Sequence, residues 1–120
     1  MSEYQHIDMT YLDELALGSN EFKIEMVESF INTTPEAIQK MKEAINSGDW
    51  KVLGGIAHKL KTSFSFVGME NMVQLSKSLQ DLGLAEEKVE EIPGMVEELS
   101  NTYSKAEIEL KQELNKLQNA

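Results

Sequence analysis

Apolar residues recur along this chain at intervals of three and four, the spacing that places them on one side of an α-helix. At roughly 100° per residue, one set falls within about 50° of a single line: Leu53, Ile56, Ala57, Leu60, Phe64 and Val67. Similar runs begin near Phe22, Met69 and Val96. No segment alternates with the period of two that is typical of a half-buried β-strand. The pattern therefore predicts an all-α protein.

Capping residues and glycines divide the first half of the chain into a short predicted helix and a longer helical region. Thr10 is a candidate N-cap of a short helix that Gly18 ends, and Asn20 is a candidate N-cap of the next one. The second pattern continues through Pro35 to the pair Ser47-Gly48. It fits one long helix kinked at the proline and two abutting helices equally well.

The second half of the chain predicts three more helices. Asp49 is expected to cap the third helix, and a fourth is expected to run from the turn at Gly68 to Gly83. Ile92-Pro93-Gly94 then interrupts the chain, and one long amphipathic helix is predicted from about Met95 onward. Short turns between long amphipathic helices predict an up-down four-helix bundle with a short additional N-terminal helix. The polar residues 1–9 are predicted to form a loose N-terminal segment, and residues 10–120 a single domain.

Composition excludes several classes of function. A net charge of −10 and a pI near 4.6 argue against nucleic-acid binding, since most of the surface would repel phosphates. Cysteine is absent, which excludes disulfides and thiolate metal sites, and no apolar run approaches the length of a membrane span or a leader. These features favour a cytoplasmic protein, and the acidic terminal segments favour a monomer.

Residues 50–69 form a basic segment in this acidic chain. They contain Lys51, Lys59 and Lys61 but no acid, and their charge of +3 leaves −13 on the other hundred residues. Such contrast marks a surface that meets an anion or an acidic partner. Within the segment, His58 lies roughly 140° from the apolar line and is expected to point into solvent. The residues beside it are Lys51, Gly54, Lys61, Thr62 and Ser65.

This histidine helix resembles a known family. His58-Lys59-Leu60-Lys61, followed by Thr62 and then by Gly68, is similar to the H-x-L-K-(small)-x5-G signature of histidine-containing phosphotransfer (HPt) domains, the carriers of multistep phosphorelays. The residues Asp49-Trp50 and Leu79-Gln80-Asp81-Leu82-Gly83 are also similar, so the resemblance covers residues 20–83. Thr62 departs from the family, which usually has glycine at that position.

The resemblance implies a function and a site. His58 would carry the phosphoryl group, Lys61 would stabilise it, and Gln80 matches a position at which some members place a glutamine near the histidine. The predicted docking surface comprises Lys51, Gly54, Gly55, Lys59, Thr62 and Ser65. Expected partners are the receiver domains of response regulators and of a hybrid histidine kinase, which would supply the acceptor aspartate and Mg²⁺. The chain itself is expected to bind no cofactor or metal and to lack autonomous kinase activity.

Two questions stay open at this point. His58 lies ten residues before Gly68 and Gln80 twelve after it, so the two side chains should reach similar heights at roughly 1.5 Å per residue. This spacing does not decide whether Gln80 faces His58 or the core. The competing functional hypothesis is a helical adaptor that docks receiver domains or other signalling proteins without carrying phosphate.

Overall fold

A computed structural model describes residues 4–120, and in this range the chain forms five α-helices and no strand. The helices are α1 (Thr10–Ala16), α2 (Asn20–Ser47), α3 (Trp50–Phe66), α4 (Glu70–Ala85) and α5 (Ile92–Gln118), and a 3-10 turn at Val89–Glu91 precedes α5. Both α2 and α4 pack against α3 and α5, so the four long helices enclose one core. The predicted all-α four-helix bundle with a short N-terminal helix is confirmed. Within residues 4–120, no helix has the length and apolar character needed to cross a membrane.

The core contains the apolar stripe predicted for α3. Five of its six residues are buried and Ile56 is half-buried. At the centre, the ring of Phe30 on α2 makes edge-to-face contacts with Phe64 on α3 and Tyr103 on α5, each with a centroid distance of 5.7 Å. Since one face of α3 packs into the core, His58 on the opposite face is exposed.

Helix α2 is one continuous helix that contains Pro35. A proline in a helix interior removes one backbone hydrogen bond, at a cost of roughly 3 kcal/mol. Burial of Thr34, Ile38 and Met41 on the same side of the helix offsets this cost. The helix is capped by Ser19, whose hydroxyl accepts a hydrogen bond from the backbone N–H of Phe22, one residue before the predicted cap.

The prediction of a loose segment over residues 1–9 is wrong for residues 4–9, which we call the N-terminal strap; residues 1–3 lie outside the described residues. Ile7 and Met9 are buried in the core. The carboxylate of Glu109 on α5 accepts hydrogen bonds from the backbone N–H groups of Gln5, His6 and Ile7, at 2.9, 2.8 and 3.2 Å. One side chain thus satisfies three backbone donors and holds the strap along α5.

The strap also contacts the turn between α3 and α4. The backbone N–H of Asp8 donates to the carbonyl of Val67 at 2.9 Å. Gly68 has a φ of +68°, and a Cβ atom there would lie 2.6 Å from the carbonyl oxygen of Asp8. The turn therefore requires glycine for its backbone conformation and for the close approach of the strap.

Two predicted boundaries in the second half of the chain are also wrong. Gly83 does not end α4, which continues to Ala85, and α5 begins at Ile92 instead of Met95. Pro93 lies in the first turn of α5, where its missing N–H removes no helical hydrogen bond. Gly83 lies inside α4 because its lack of a side chain permits a close helix contact, described below.

Candidate functional site

His58 is exposed on α3 and is adjacent to Gln80 on α4. Nδ1 of His58 lies 3.3 Å from Oε1 of Gln80. Gln80 is half-buried and faces the histidine, which answers the question that the spacing left open. The two side chains lie at similar heights on antiparallel helices, as predicted, and they are in direct contact.

This contact favours one tautomer of the imidazole. Oε1 of an amide only accepts, so with Oε1 turned toward the ring the contact is a hydrogen bond when Nδ1 carries the proton. Nε2 of the neutral ring is then unprotonated, and its lone pair is available to attack an electrophile. At 3.3 Å the hydrogen bond is longer than the usual 2.7–3.2 Å range, so a small separation of the helices would break it.

The two helices approach most closely one turn from this pair, at Gly54 and Gly83. A Cβ atom on Gly83 would lie 2.6 Å from the carbonyl oxygen of Trp50 and 2.9 Å from Cα of Gly54. A Cβ atom on Gly54 would lie 2.9 Å from the backbone nitrogen of Leu84. Gly54 is buried, so its assignment to the docking surface is wrong. The helical angle correctly placed it beside His58, but α4 covers that side of α3.

The structure leaves most of the other predicted docking residues accessible. Lys51, Gly55, Lys59 and Thr62 are exposed. Ser65 is half-buried two turns after His58, and its hydroxyl donates to the carbonyl of Thr62 at 2.6 Å. The accessible residues share the solvent-facing side of α3 with the imidazole.

Lys61 is half-buried and lies one helical turn after His58. The three residues from His58 to Lys61 correspond to a rise of about 4.5 Å along the helix, within reach of a group attached to the ring. Among residues 4–120, no ion pair engages Lys51, Lys59 or Lys61. Helix α3 itself contains no carboxylate.

Leu84 is an exposed apolar residue that the sequence reasoning missed. It follows Gln80 by one turn of α4, packs against Gly54, and leaves 47% of its surface in solvent. Its position four residues after Gln80 was the available signal. It adds an apolar element to the face that carries the histidine.

A family model for the Hpt domain matches residues 25–120 of the chain. The chain belongs to this family. The match includes the whole signature from His58 to Gly68 and also Gln80. Hpt domains transfer phosphoryl groups through histidine in phosphorelays and interact with receiver domains, so the chain is a histidine phosphotransfer protein.

The fold of this Hpt domain is shared with a solved structure. The crystal structure of histidine-containing phosphotransfer protein B (HptB) from Pseudomonas aeruginosa PAO1 matches it with a TM-score of 0.85 and 20% sequence identity. The match covers 95% of this chain and 98% of that chain. At this identity the comparison establishes the common fold. A search of curated proteins gives no match.

The described part of this Hpt domain contains no group of three or more His, Cys, Asp or Glu side chains arranged to hold a metal ion. Residues 50–69, which include His58, contain no acid. The α3 residues that flank the imidazole on the solvent side, Lys51, Lys61 and Thr62, are cationic or polar and suit an anionic group.

Proposed function

We propose that His58 is the phosphorylated residue of this Hpt domain. The observation that carries the proposal is the exposed imidazole whose Nδ1 contacts Oε1 of Gln80, which leaves Nε2 as the nucleophile. Nε2 attacks the phosphorus of a receiver aspartyl phosphate. The N–P bond forms as the bond to the carboxylate oxygen breaks, and the aspartate leaves as a carboxylate. The reverse reaction delivers the phosphoryl group to the aspartate of another receiver.

Lys61 stabilises the phosphoryl group in this scheme. A phosphorylated imidazole places two negative charges near Nε2, and an ammonium group one turn away can donate a charge-assisted hydrogen bond to a phosphoryl oxygen. Among residues 4–120 the lysine forms no ion pair with a carboxylate, which supports this role. Gln80 contributes by holding the ring and its tautomer.

The partner surface is the accessible side of α3 around His58. We assign docking to Lys51, Gly55, Lys59, Thr62 and Ser65, and add Leu84 as an apolar contact. The three lysines of residues 50–69 attract an acidic surface and orient the approach of a receiver domain. Gly55 leaves space for a docked receiver domain, because a Cβ atom at this position would have no neighbouring atom within 4 Å.

The helical bundle and the receiver domain supply different groups for the reaction. Phosphoryl transfer needs positioning and neutralisation of charge, and the receiver domain supplies the aspartate and the Mg²⁺. The protein then acts as a carrier without kinase activity of its own, between a hybrid histidine kinase and a response regulator. We propose a cytoplasmic monomer, since one exposed histidine must meet two receivers in turn. Its net charge of −10 disfavours nucleic acids and anionic membrane surfaces as partners.

The direct test mixes the protein with receiver domains phosphorylated by a small-molecule phosphodonor in the presence of Mg²⁺. Acid-labile, alkali-stable phosphate on the chain, with loss of phosphate from the receiver, is the expected result. A stable complex with the receiver domain but no phosphoryl transfer would overturn the proposed carrier function and favour the adaptor hypothesis. Release of inorganic phosphate with no labelled intermediate would indicate a phosphatase and would also overturn the proposal.

A further inference from the structure

We infer that Gly54 and Gly83 are positioning residues for the phosphoryl-accepting histidine. Contact between the backbones of α3 and α4 at these two glycines brings the Gln80 amide to Nδ1 of His58 and so keeps Nε2 free of its proton. The inference rests on the proposed role of His58 and adds to it a determinant outside the set of groups that touch the phosphoryl group.

The two glycines lie next to the pair they are inferred to position. Gly54 precedes His58 by four residues on α3, and Gly83 follows Gln80 by three on α4. Because the two helices are antiparallel, both separations correspond to one turn in the same direction along the bundle. The approach of the helices at the glycines therefore sets the separation of the side chains one turn away.

The distances show how little freedom this contact has. A Cβ atom on Gly83 would lie 2.6 Å from the Trp50 carbonyl oxygen, whereas ordinary contacts begin at 3.4 Å. Alanine at this position would require the helices to separate by about 0.8 Å, the difference between these two distances. Alanine at Gly54 would require about 0.5 Å, since the nearest backbone atom would lie at 2.9 Å.

The hydrogen bond between His58 and Gln80 cannot absorb a shift of this size. It measures 3.3 Å, already at the limit of a useful N–H···O contact. Once it is lost, nothing at Nδ1 selects the tautomer, and an imidazole in water favours the proton on Nε2. The nucleophilic nitrogen would then be blocked in most molecules.

Gly55 provides an internal control because it is adjacent to Gly54 in sequence but lies on the open side of α3. A Cβ atom there would meet no atom within 4 Å, in contrast to Gly54. A glycine inside a helix costs about 1 kcal/mol relative to alanine wherever it lies. Gly55→Ala therefore changes helix propensity as much as Gly54→Ala does, but without moving α4.

The test measures the tautomer of His58 directly. The full chain, labelled with ¹⁵N in its histidines, is examined by NMR at about pH 8.5, where imidazoles are neutral. Wild-type His58 is expected to show Nδ1–H, with His6 assigned by mutation. We expect Gly83→Ala to reduce the Nδ1–H share of His58 at least twofold, Gly54→Ala to reduce it less, and Gly55→Ala to leave it unchanged.

A second comparison separates positioning from a general loss of stability. In the Gln80→Leu background the acceptor is already absent, so Gly83→Ala should cause no further change in the tautomer. Circular dichroism checks that each variant folds, and Gly54→Ala decides the matter if Gly83→Ala does not. Folded glycine variants with the wild-type tautomer would overturn the inference even if His58 is phosphorylated. Absence of phosphorylation would overturn the proposed function and leave this structural result standing.

Discussion

Oε1 of Gln80 lies 3.3 Å from Nδ1 of His58, across the contact between two antiparallel helices. This relationship gives the exposed imidazole a defined orientation without burying it. It also gives the two ring nitrogens different roles, since Nδ1 contacts Gln80 and Nε2 remains available to the partner. The reactivity of the site therefore depends on α4 as well as on the helix that carries the histidine.

Replacing Gln80 tests whether its contact with Nδ1 of His58 affects phosphotransfer. Gln80→Leu keeps a side chain of similar volume but removes the acceptor, and a single hydrogen bond contributes about 0.5–1.5 kcal/mol. We expect phosphotransfer from a labelled receiver to slow by roughly three- to tenfold, measured by rapid quench. Gln74→Leu, at an exposed position of the same helix, serves as the control. Equal rates for the two variants would show that the amide has no part in the reaction.

Lys61→Ala removes the ammonium group one turn from His58. We expect a roughly tenfold slower transfer, equivalent to about 1.4 kcal/mol of lost stabilisation, with an unchanged helical spectrum. The matched control is Lys111→Ala, which removes an exposed lysine paired with Glu107 on α5. If both variants transfer at the wild-type rate, Lys61 does not stabilise the phosphoryl group.

The N-terminal strap predicts a stability effect far from the histidine. Glu109→Gln replaces one of the two carboxylate oxygens that accept from the backbone of Gln5, His6 and Ile7 with an N–H₂ group. Two donors then face each other, so the free energy of unfolding should fall by about 1–3 kcal/mol in urea titrations. Glu97→Gln at an exposed position of α5 should change it by less than about 0.5 kcal/mol. Similar values for both variants would contradict the role of the strap.

A pair of glycine substitutions measures the other contact of the strap. Gly48 and Gly68 have similar φ values, +72° and +68°, but a Cβ atom would meet nothing at Gly48 and the backbone of Asp8 at Gly68. Gly48→Ala should cost about 1–2 kcal/mol, the penalty for an L-residue in the left-handed region. Gly68→Ala should cost clearly more, because the clash adds to the same penalty. Equal melting temperatures for the two variants would mean that the close contact between Asp8 and Gly68 does not add to the cost of the substitution.

The bundle could be predicted from the sequence because each long helix has a strong apolar period. The five buried residues of the α3 stripe needed no knowledge of their partners, since a helix with one apolar side buries that side. Pro35 remained ambiguous because local rules for proline oppose the continuous apolar pattern. Burial of Thr34 and Ile38 decided in favour of one helix.

The features that the sequence did not reveal depend on distant contacts. Residues 4–9 have no helical period, and their anchor, Glu109, lies about a hundred residues away in the chain. Local sequence rules predict a helix end at Gly83 because glycine serves both as a terminator and as a close-contact residue, and only the neighbouring helix distinguishes the two. The helical angle of Gly54 predicts an exposed position, and only the packing of α4 shows that it is buried. His58 and Lys61 were found through a local signature, whereas the orientation of Gln80 required the packing of α4.

The most direct test of the central claim compares the two histidines of the chain, His58 and His6. Wild-type protein, His58→Gln and His6→Gln are each incubated with the same phosphorylated receiver, and acid-labile phosphate is measured on Phos-tag gels. His6 contacts Glu109 through its backbone N–H, so its replacement keeps the strap bond. We predict that His6→Gln is labelled like the wild type and that His58→Gln is not labelled, with identical circular dichroism spectra. Persistent labelling of His58→Gln would contradict the account.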